Sequence, residues 1–144
     1  MHVFVTGATG LIGRALVPAL RAAGHEVTAL SRQAAPGRSA PGATVVQGDP
    51  TRPGPWQEAL ARCDACVHLA GEPIAGARWT EERKRAIRES RVASTRLVAE
   101  TVAAGGPRVL VAGSAVGYYG SRGDEELDES SPPGDDFLAR VCAA

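Results

Sequence analysis

The sequence predicts an α/β fold, a doubly wound parallel sheet of five strands in the order 3-2-1-4-5 with helices on both faces. Three observations carry this. Short apolar runs alternate with helical stretches along the 144 residues, five strands in all. The segments between successive strands are too long for hairpins, which makes the strands parallel and buries the sheet under helices. A glycine-rich turn, Thr6-Gly7-Ala8-Thr9-Gly10-Leu11-Ile12-Gly13, joins the first strand to the first helix, where such sheets open a crevice. Right-handed crossovers to either side of that strand give the order.

Residues 2–6 (HVFVT) read as a short buried strand. Residues 10–23 form a helix with Ile12, Ala15, Leu16, Ala19, Leu20 and Ala23 on one face, and Gly24 ends it. Pro18 lies inside this helix and is expected to bend it without breaking it, because the apolar face continues on both sides. Residues 26–30 and 44–47 are the second and third strands, separated by a loop rich in Pro, Gly and Ala. Pro53-Gly54-Pro55 introduces a short helix over 56–62, and residues 65–69 (ACVHL) are the fourth strand. A long helix starts after the N-cap Thr80, with Glu81 and Glu82 in its first turn, and stops near Ala104 before Gly105-Gly106-Pro107. Residues 108–112 (RVLVA) make the fifth strand, followed by an acidic loop and a last helix opening at Phe137. The chain reads as one Rossmann-like domain over residues 1–144, stopping before a sixth strand and before any substrate-binding region.

Composition narrows the class of function. A hydrophobic fraction of 44%, a charged fraction of 22% and zero net charge describe a globular chain with no general attraction to nucleic acid or anionic lipid. No apolar run reaches membrane-spanning length, and the first residues already look like a strand, so the cytoplasm is the expected compartment. Cys63, Cys66 and Cys142 cannot all pair. The Cys63–Cys66 spacing lacks the second ligand pair of a structural zinc site, so ordinary core thiols and no metal are expected. Residues 78–96 are rich in basic side chains, but expected i,i+4 pairs Glu81–Arg85 and Arg85–Glu89 and the lack of aromatic interleaving describe a solvated helix face. The acidic run 124–136 has no regular ligand spacing and contains Pro132-Pro133, as in a solvated loop. His68 reads as a core or cofactor-lining residue, and His2 and His25 as surface residues.

The glycine turn carries the strongest chemistry. Gly7 permits a tight turn, Gly10 lets backbone approach a pyrophosphate, and Gly13 lets the helix pack on the strand. The helix N-terminus then offers N–H groups and a positive dipole end to phosphates. A ligand-free glycine turn is the bland alternative. An NAD-specific site places an acidic residue at the end of the second strand to hold the ribose 2′-hydroxyl. Here Ser31 and Arg32 stand there, a hydroxyl and a cation that suit a 2′-phosphate, so NADP(H) is the expected cofactor. Arg32 as a merely solvated loop residue is the other reading, and Arg38 is a further cation in the loop.

The glycine turn, then Val67–Gly71 (VHLAG), then Gly113–Gly120 (GSAVGYYG) resemble, in that order, the motifs of extended short-chain dehydrogenases/reductases. Glu72-Pro73-Ile74, Arg78-Trp79-Thr80, Ser90-Arg91 and the stretch from Asp124 to Leu138 bring the chain closer to the epimerase-like subfamily of 39U type. The resemblance covers the whole chain, whereas family members are longer. It implies that Leu69, Ala70, Gly71 and Glu72 line the cofactor, that Asp49 approaches the adenine, and that Ser114 stands where a catalytic hydroxyl meets substrate. It also implies a Tyr/Lys proton relay that this chain lacks. The last helix contains neither residue, the single lysine is Lys84, and Arg91 replaces a common asparagine. Tyr118 and Tyr119 are the remaining acid/base candidates; Tyr118 and Arg122 have helical spacing but lie in a glycine-punctuated loop. Two functions stay open: an NADP(H)-dependent oxidoreductase or nucleotide-sugar epimerase-like enzyme acting on a small molecule of unknown identity, or a non-catalytic NADP(H)-binding redox-sensing module. The long middle helix offers a homodimer face.

Overall fold

The computed structural model describes residues 1–33 and 41–144. Arg38 lies outside the described residues. Two compact units divide the chain, Met1–Ala112 and Gly113–Ala144.

The first unit holds the sheet. Its elements are β1 (His2–Thr6), α1 (Leu11–Ala22), β2 (Glu26–Ser31), β3 (Thr44–Gln47), α2 (Trp56–Ala61), β4 (Ala65–His68), α3 (Glu81–Ala103) and β5 (Val109–Ala112). All pairings are parallel and the order is β3-β2-β1-β4-β5, as expected from the sequence. In register, Thr6 at the end of β1 stands between Leu30 of β2 and His68 of β4.

Strand alternation separates two cores. Val3 and Val5 of β1, with Val27, Ala29 and Ala65, pack against Ala8 and Val17 on one face of the sheet. Phe4, Leu30 and Cys66 face the opposite way, against Trp56, Leu60, Cys63 and Val98 of the α2–α3 side. Phe4 and Trp56 stack at 6.4 Å, and the Trp56 indole donates to the Arg52 carbonyl. At β5 the face shared with α1 is open, Val109 and Val111 being 46% and 54% exposed.

The buried stripe of α1 differs from the expected one. Gly13 and Val17 are buried and Leu16 and Leu20 half-buried, whereas Ile12 is 63% exposed and Ala15 and Ala19 face solvent. The close approach of Gly13 to the preceding turn rotates the helix by about one residue. A Cβ on Gly13 would lie 2.4 Å from the Gly7 carbonyl oxygen and 2.6 Å from Ala8 backbone atoms. Pro18 is accommodated within an unbroken α1, and Gly24 follows it at φ +80°. Thr80 caps α3 by accepting the Arg83 N–H. Glu81 pairs with Lys84 instead of Arg85, a shift from i,i+4 to i,i+3 spacing, and the described ion pairs include none at Arg85 or Glu89. His2 and His25 are half-buried; His2 Nε2 lies 2.7 Å from the Thr28 hydroxyl.

The second unit is small. A 3-10 turn, Val116–Tyr119, stands where a plain loop was expected, and α4 (Phe137–Ala143) packs against it. Asp136 caps α4 by accepting the Ala139 N–H. The acidic stretch between them is tied by Arg122, which donates to the Tyr119 and Pro132 carbonyls and pairs with Glu125.

Candidate functional site

A crevice of about 900 Å³ opens at the carboxyl ends of β1, β2, β3 and β4. Its wall includes Gly7, Thr9 and Gly10 of the glycine turn, Ser31 and Arg32 after β2, Asp49 after β3, and Leu69, Ala70, Gly71 and Glu72 after β4. One cavity therefore gathers residues from four separated segments, all expected from the sequence. Leu11, Ile12 and Gly13 are not among its lining residues. The Leu11 and Ile12 side chains are 93% and 63% exposed, and Gly13 is buried against the turn. What α1 directs toward the turn is backbone: its first N–H groups lack intrahelical acceptors, and Gly10, as N-cap, brings no side chain to cap them.

The turn is sterically closed to side chains. Gly7 has φ +70°, and a Cβ there would lie 2.7 Å from the Leu69 carbonyl group and 2.9 Å from the Ala70 nitrogen. The glycine turn and the strip after β4 are thus in direct contact at the base of the crevice.

Charge in the crevice is arranged in pairs and singles. The Glu72 carboxylate is bound at 2.7 Å by Arg83, whose guanidinium also donates to the Pro73 carbonyl. Asp49 accepts from the Thr51 N–H and hydroxyl at 2.9 and 2.7 Å, both on Oδ1. Burial works against Asp49 ionisation, but the Thr51 bonds and then the Arg32 and Arg52 charges outweigh it, and its pKa lies below the ordinary value. Arg32 and Arg14 also line the wall, and neither forms an ion pair among the described residues. Arg14 Nε is anchored on the Thr9 carbonyl at 2.8 Å. Ser31 is half committed, its hydroxyl donating to the Gln33 carbonyl at 2.7 Å.

Several of these residues escaped the reading of the sequence. Arg14 was detectable by its place one residue beyond Gly13. Thr6, Ser90, Arg83 and Arg91 were not, since the role of Thr6 depends on β4 pairing beside β1 and those of the other three on α3 crossing behind the strip. There the Glu72 N–H donates to Ser90 Oγ at 2.9 Å, and Arg91 Nη1 donates to the Glu72 carbonyl at 2.9 Å. A Cβ on Gly71 would press on the Arg91 guanidinium at 3.2 Å, so Gly71 makes room for that clamp.

In the second unit Ser114, Tyr118 and Tyr119 line one open hollow. The two tyrosine rings meet edge to face at 5.1 Å. The 3-10 turn ends before Arg122, so helical stacking of Tyr118 on Arg122 does not occur. Cys63 and Cys66 are buried thiols with pKa pushed up, by burial first, to about 11 and about 12. No cluster of three or more His, Cys, Asp or Glu able to hold a metal occurs among the described residues, and no described helix is long and apolar enough to cross a membrane.

Comparison with known proteins follows the same lines. The model of the NAD dependent epimerase/dehydratase family matches residues 3–137. An Arabidopsis thaliana protein, the chloroplastic homologue of epimerase family protein SDR39U1, is 40% identical over 152 residues, covering 99% of this chain and 42% of that protein. Among solved structures, human epimerase family protein SDR39U1 with NADPH aligns at TM-score 0.79 and 35% identity, over 99% of this chain and 46% of that one. The nucleoside-diphosphate sugar epimerase from Corynebacterium glutamicum aligns at TM-score 0.78 and 41% identity, over 99% and 29%. The chain spans less than half the length of each of these relatives. On the family match and this identity, the chain belongs to the NAD dependent epimerase/dehydratase family.

Proposed function

We propose that the crevice binds NADP(H), with the pyrophosphate over the glycine turn and the 2′-phosphate against Arg32, Ser31 and Arg14. The observation that carries this is a pair of guanidinium groups, Arg32 and Arg14, that form no ion pair among the described residues, on the same wall as the glycine turn. A bound phosphate is the charge such a pair fits, whereas an acidic residue for a 2′-hydroxyl is missing after β2. The human relative solved with NADPH supports the same choice. When bound, the nucleotide would supply hydride chemistry; the chain supplies its seat.

The function that fits best is an oxidoreductase or nucleotide-sugar epimerase-like enzyme on a small-molecule substrate, with Ser114, Tyr118 and Tyr119 of the second unit as the candidate hydroxyls. A second reading, a non-catalytic NADP(H)-binding regulatory module, is favoured by one feature: α4 contains neither tyrosine nor lysine, so the usual proton relay has no equivalent there. A homodimer through α3 and residence in the cytoplasm belong to the same proposal.

Titration calorimetry with NADPH and NADH tests the cofactor. Arg32→Ala should weaken NADPH binding roughly 10- to 100-fold, as for the loss of a charge-assisted hydrogen bond, and leave NADH binding near wild type. Gly10→Asp should abolish both. Equal affinity of the wild-type chain for the two nucleotides would overturn the 2′-phosphate assignment.

A further inference from the structure

His68 is buried, 3% exposed, at the end of β4, and both of its ring nitrogens face hydroxyls: Nδ1 is 2.7 Å from Thr6 Oγ1 and Nε2 is 3.1 Å from Ser94 Oγ. Neither partner is charged. The proton positions follow from counting. Thr6 Oγ1 accepts the Leu69 and Ala70 N–H groups, both at 3.1 Å, the Leu69 N–H being shared with the Thr6 carbonyl at 3.3 Å. A hydroxyl has two lone pairs and one proton, so those acceptances leave Thr6 only its proton to offer the ring. Nδ1 must therefore be a bare acceptor and Nε2 must carry hydrogen. Ser94 completes the chain: its own proton goes to the Ser90 carbonyl at 2.6 Å, leaving its oxygen to accept from Nε2. This arrangement gives each of these hydroxyls and both ring nitrogens a partner, and keeps the short Ser94–Ser90 bond.

The same bonds run through the two walls of the crevice. Thr6 immediately precedes Gly7, and the N–H groups it holds belong to Leu69 and Ala70, the residues a Gly7 Cβ would strike. At the other end Ser94 lies on α3, one turn after Ser90, which holds the Glu72 N–H. We propose that His68 is a positioning residue, an imidazole locked as the neutral Nε2–H tautomer that sets the gap between the glycine turn and the Leu69–Glu72 strip. The proposal rests on the reading of the crevice as the NADP(H) seat. His68 touches no ligand itself; it acts through Thr6 on one wall and through α3 on the other. The depressed pKa of the ring, about 4 by burial, agrees with a ring kept neutral.

Two measurements on the full chain test this. Imidazole ¹⁵N–¹H spectra of the unliganded protein should show Nε2 protonated and Nδ1 bare; an Nδ1–H tautomer, or a doubly protonated ring near neutral pH, overturns the assignment. NADPH affinity is then compared at a temperature well below each variant's Tm. Thr6→Val, which keeps the shape and removes the hydroxyl, and His68→Gln, which keeps a donor toward Ser94 and has no acceptor at the Nδ1 position, should each weaken binding about tenfold. The double variant should be no weaker than the weaker single one, because both break the same link. Thr6→Ser should restore most of the affinity. Variants that lower Tm while binding NADPH like wild type would reduce His68 to a core residue and overturn the positioning role. If the wild-type chain binds no nucleotide, the cofactor reading fails separately. The tautomer, and the Leu69–Glu72 amide shifts in Thr6→Val, then decide the positioning role: displaced shifts uphold it and unmoved shifts overturn it.

Discussion

At the scale of single residues, backbone space and proton placement dominate. Gly13→Ala should destabilise the chain by about 2 kcal/mol, because overpacking against backbone exceeds the gain in helix propensity. Urea unfolding midpoints measure it, and an unchanged midpoint would contradict the 2.4 Å approach of that Cβ to the Gly7 carbonyl. His68 makes stability pH-dependent with a definite sign. Its folded pKa, about 4, lies below the ordinary 6.5, so the unfolded chain takes up the proton first as pH falls. The contribution is complete above about pH 6.5 and is lost progressively toward pH 4, by about 3 kcal/mol in all. Asp49 also has a depressed pKa, but its contribution is lost at lower pH, as the solution passes below the ordinary value of 3.8. Unfolding free energies at about pH 7 and about pH 4.5 should therefore fall less in His68→Gln than in wild type. Equal losses would show that the ring is not kept neutral by the fold. Cys63 and Cys66, held as thiols by their raised pKa, should be alkylated far more slowly in the native chain than in urea, by mass spectrometry.

At the scale of elements, caps and glycines set the boundaries and tertiary packing sets the faces. Thr80→Ala removes the acceptor for the Arg83 N–H and should cost about 1 kcal/mol, while Thr80→Ser stays within a few tenths. Thermal unfolding of the pair separates a cap from a general effect of substitution. That cap, Gly24 beyond α1 and Asp136 before α4 are local features, and all element starts except that of the 3-10 turn were legible within one residue. The buried face of α1 was not. Periodicity alone placed Ile12, Ala15 and Ala19 inward, but Gly13 must press against Ala8, and this contact turns Val17 inward instead. The 3-10 turn at Val116–Tyr119 was illegible for a related reason. Two glycines flank the tyrosine pair, and the turn there is held by packing against α4 and by the bond from the distant Gly134 N–H to the Tyr118 carbonyl.

At the scale of the whole molecule, the parallel order β3-β2-β1-β4-β5 brings four strand ends to one crevice and divides the core by strand parity. The proposed preference for NADPH over NADH belongs here, since Arg14 and Arg32 reach the same wall only because β1 and β2 are neighbours. The sequence by itself determined the strand order, the glycine turn and the segments that line the crevice, because these follow from periodicity and from spacing along one chain. Only the tertiary structure decided which charges are paired and where the His68 proton sits. Glu72 is neutralised by Arg83, Asp49 is held by Thr51, and His68 is bound between Thr6 and Ser94. Of these, only the Asp49 pair is close in sequence; the others join residues 11 to 62 positions apart. Hydrogen bonds and ion pairs require atoms within about 3 Å, a proximity that the folded sheet creates and sequence spacing does not encode.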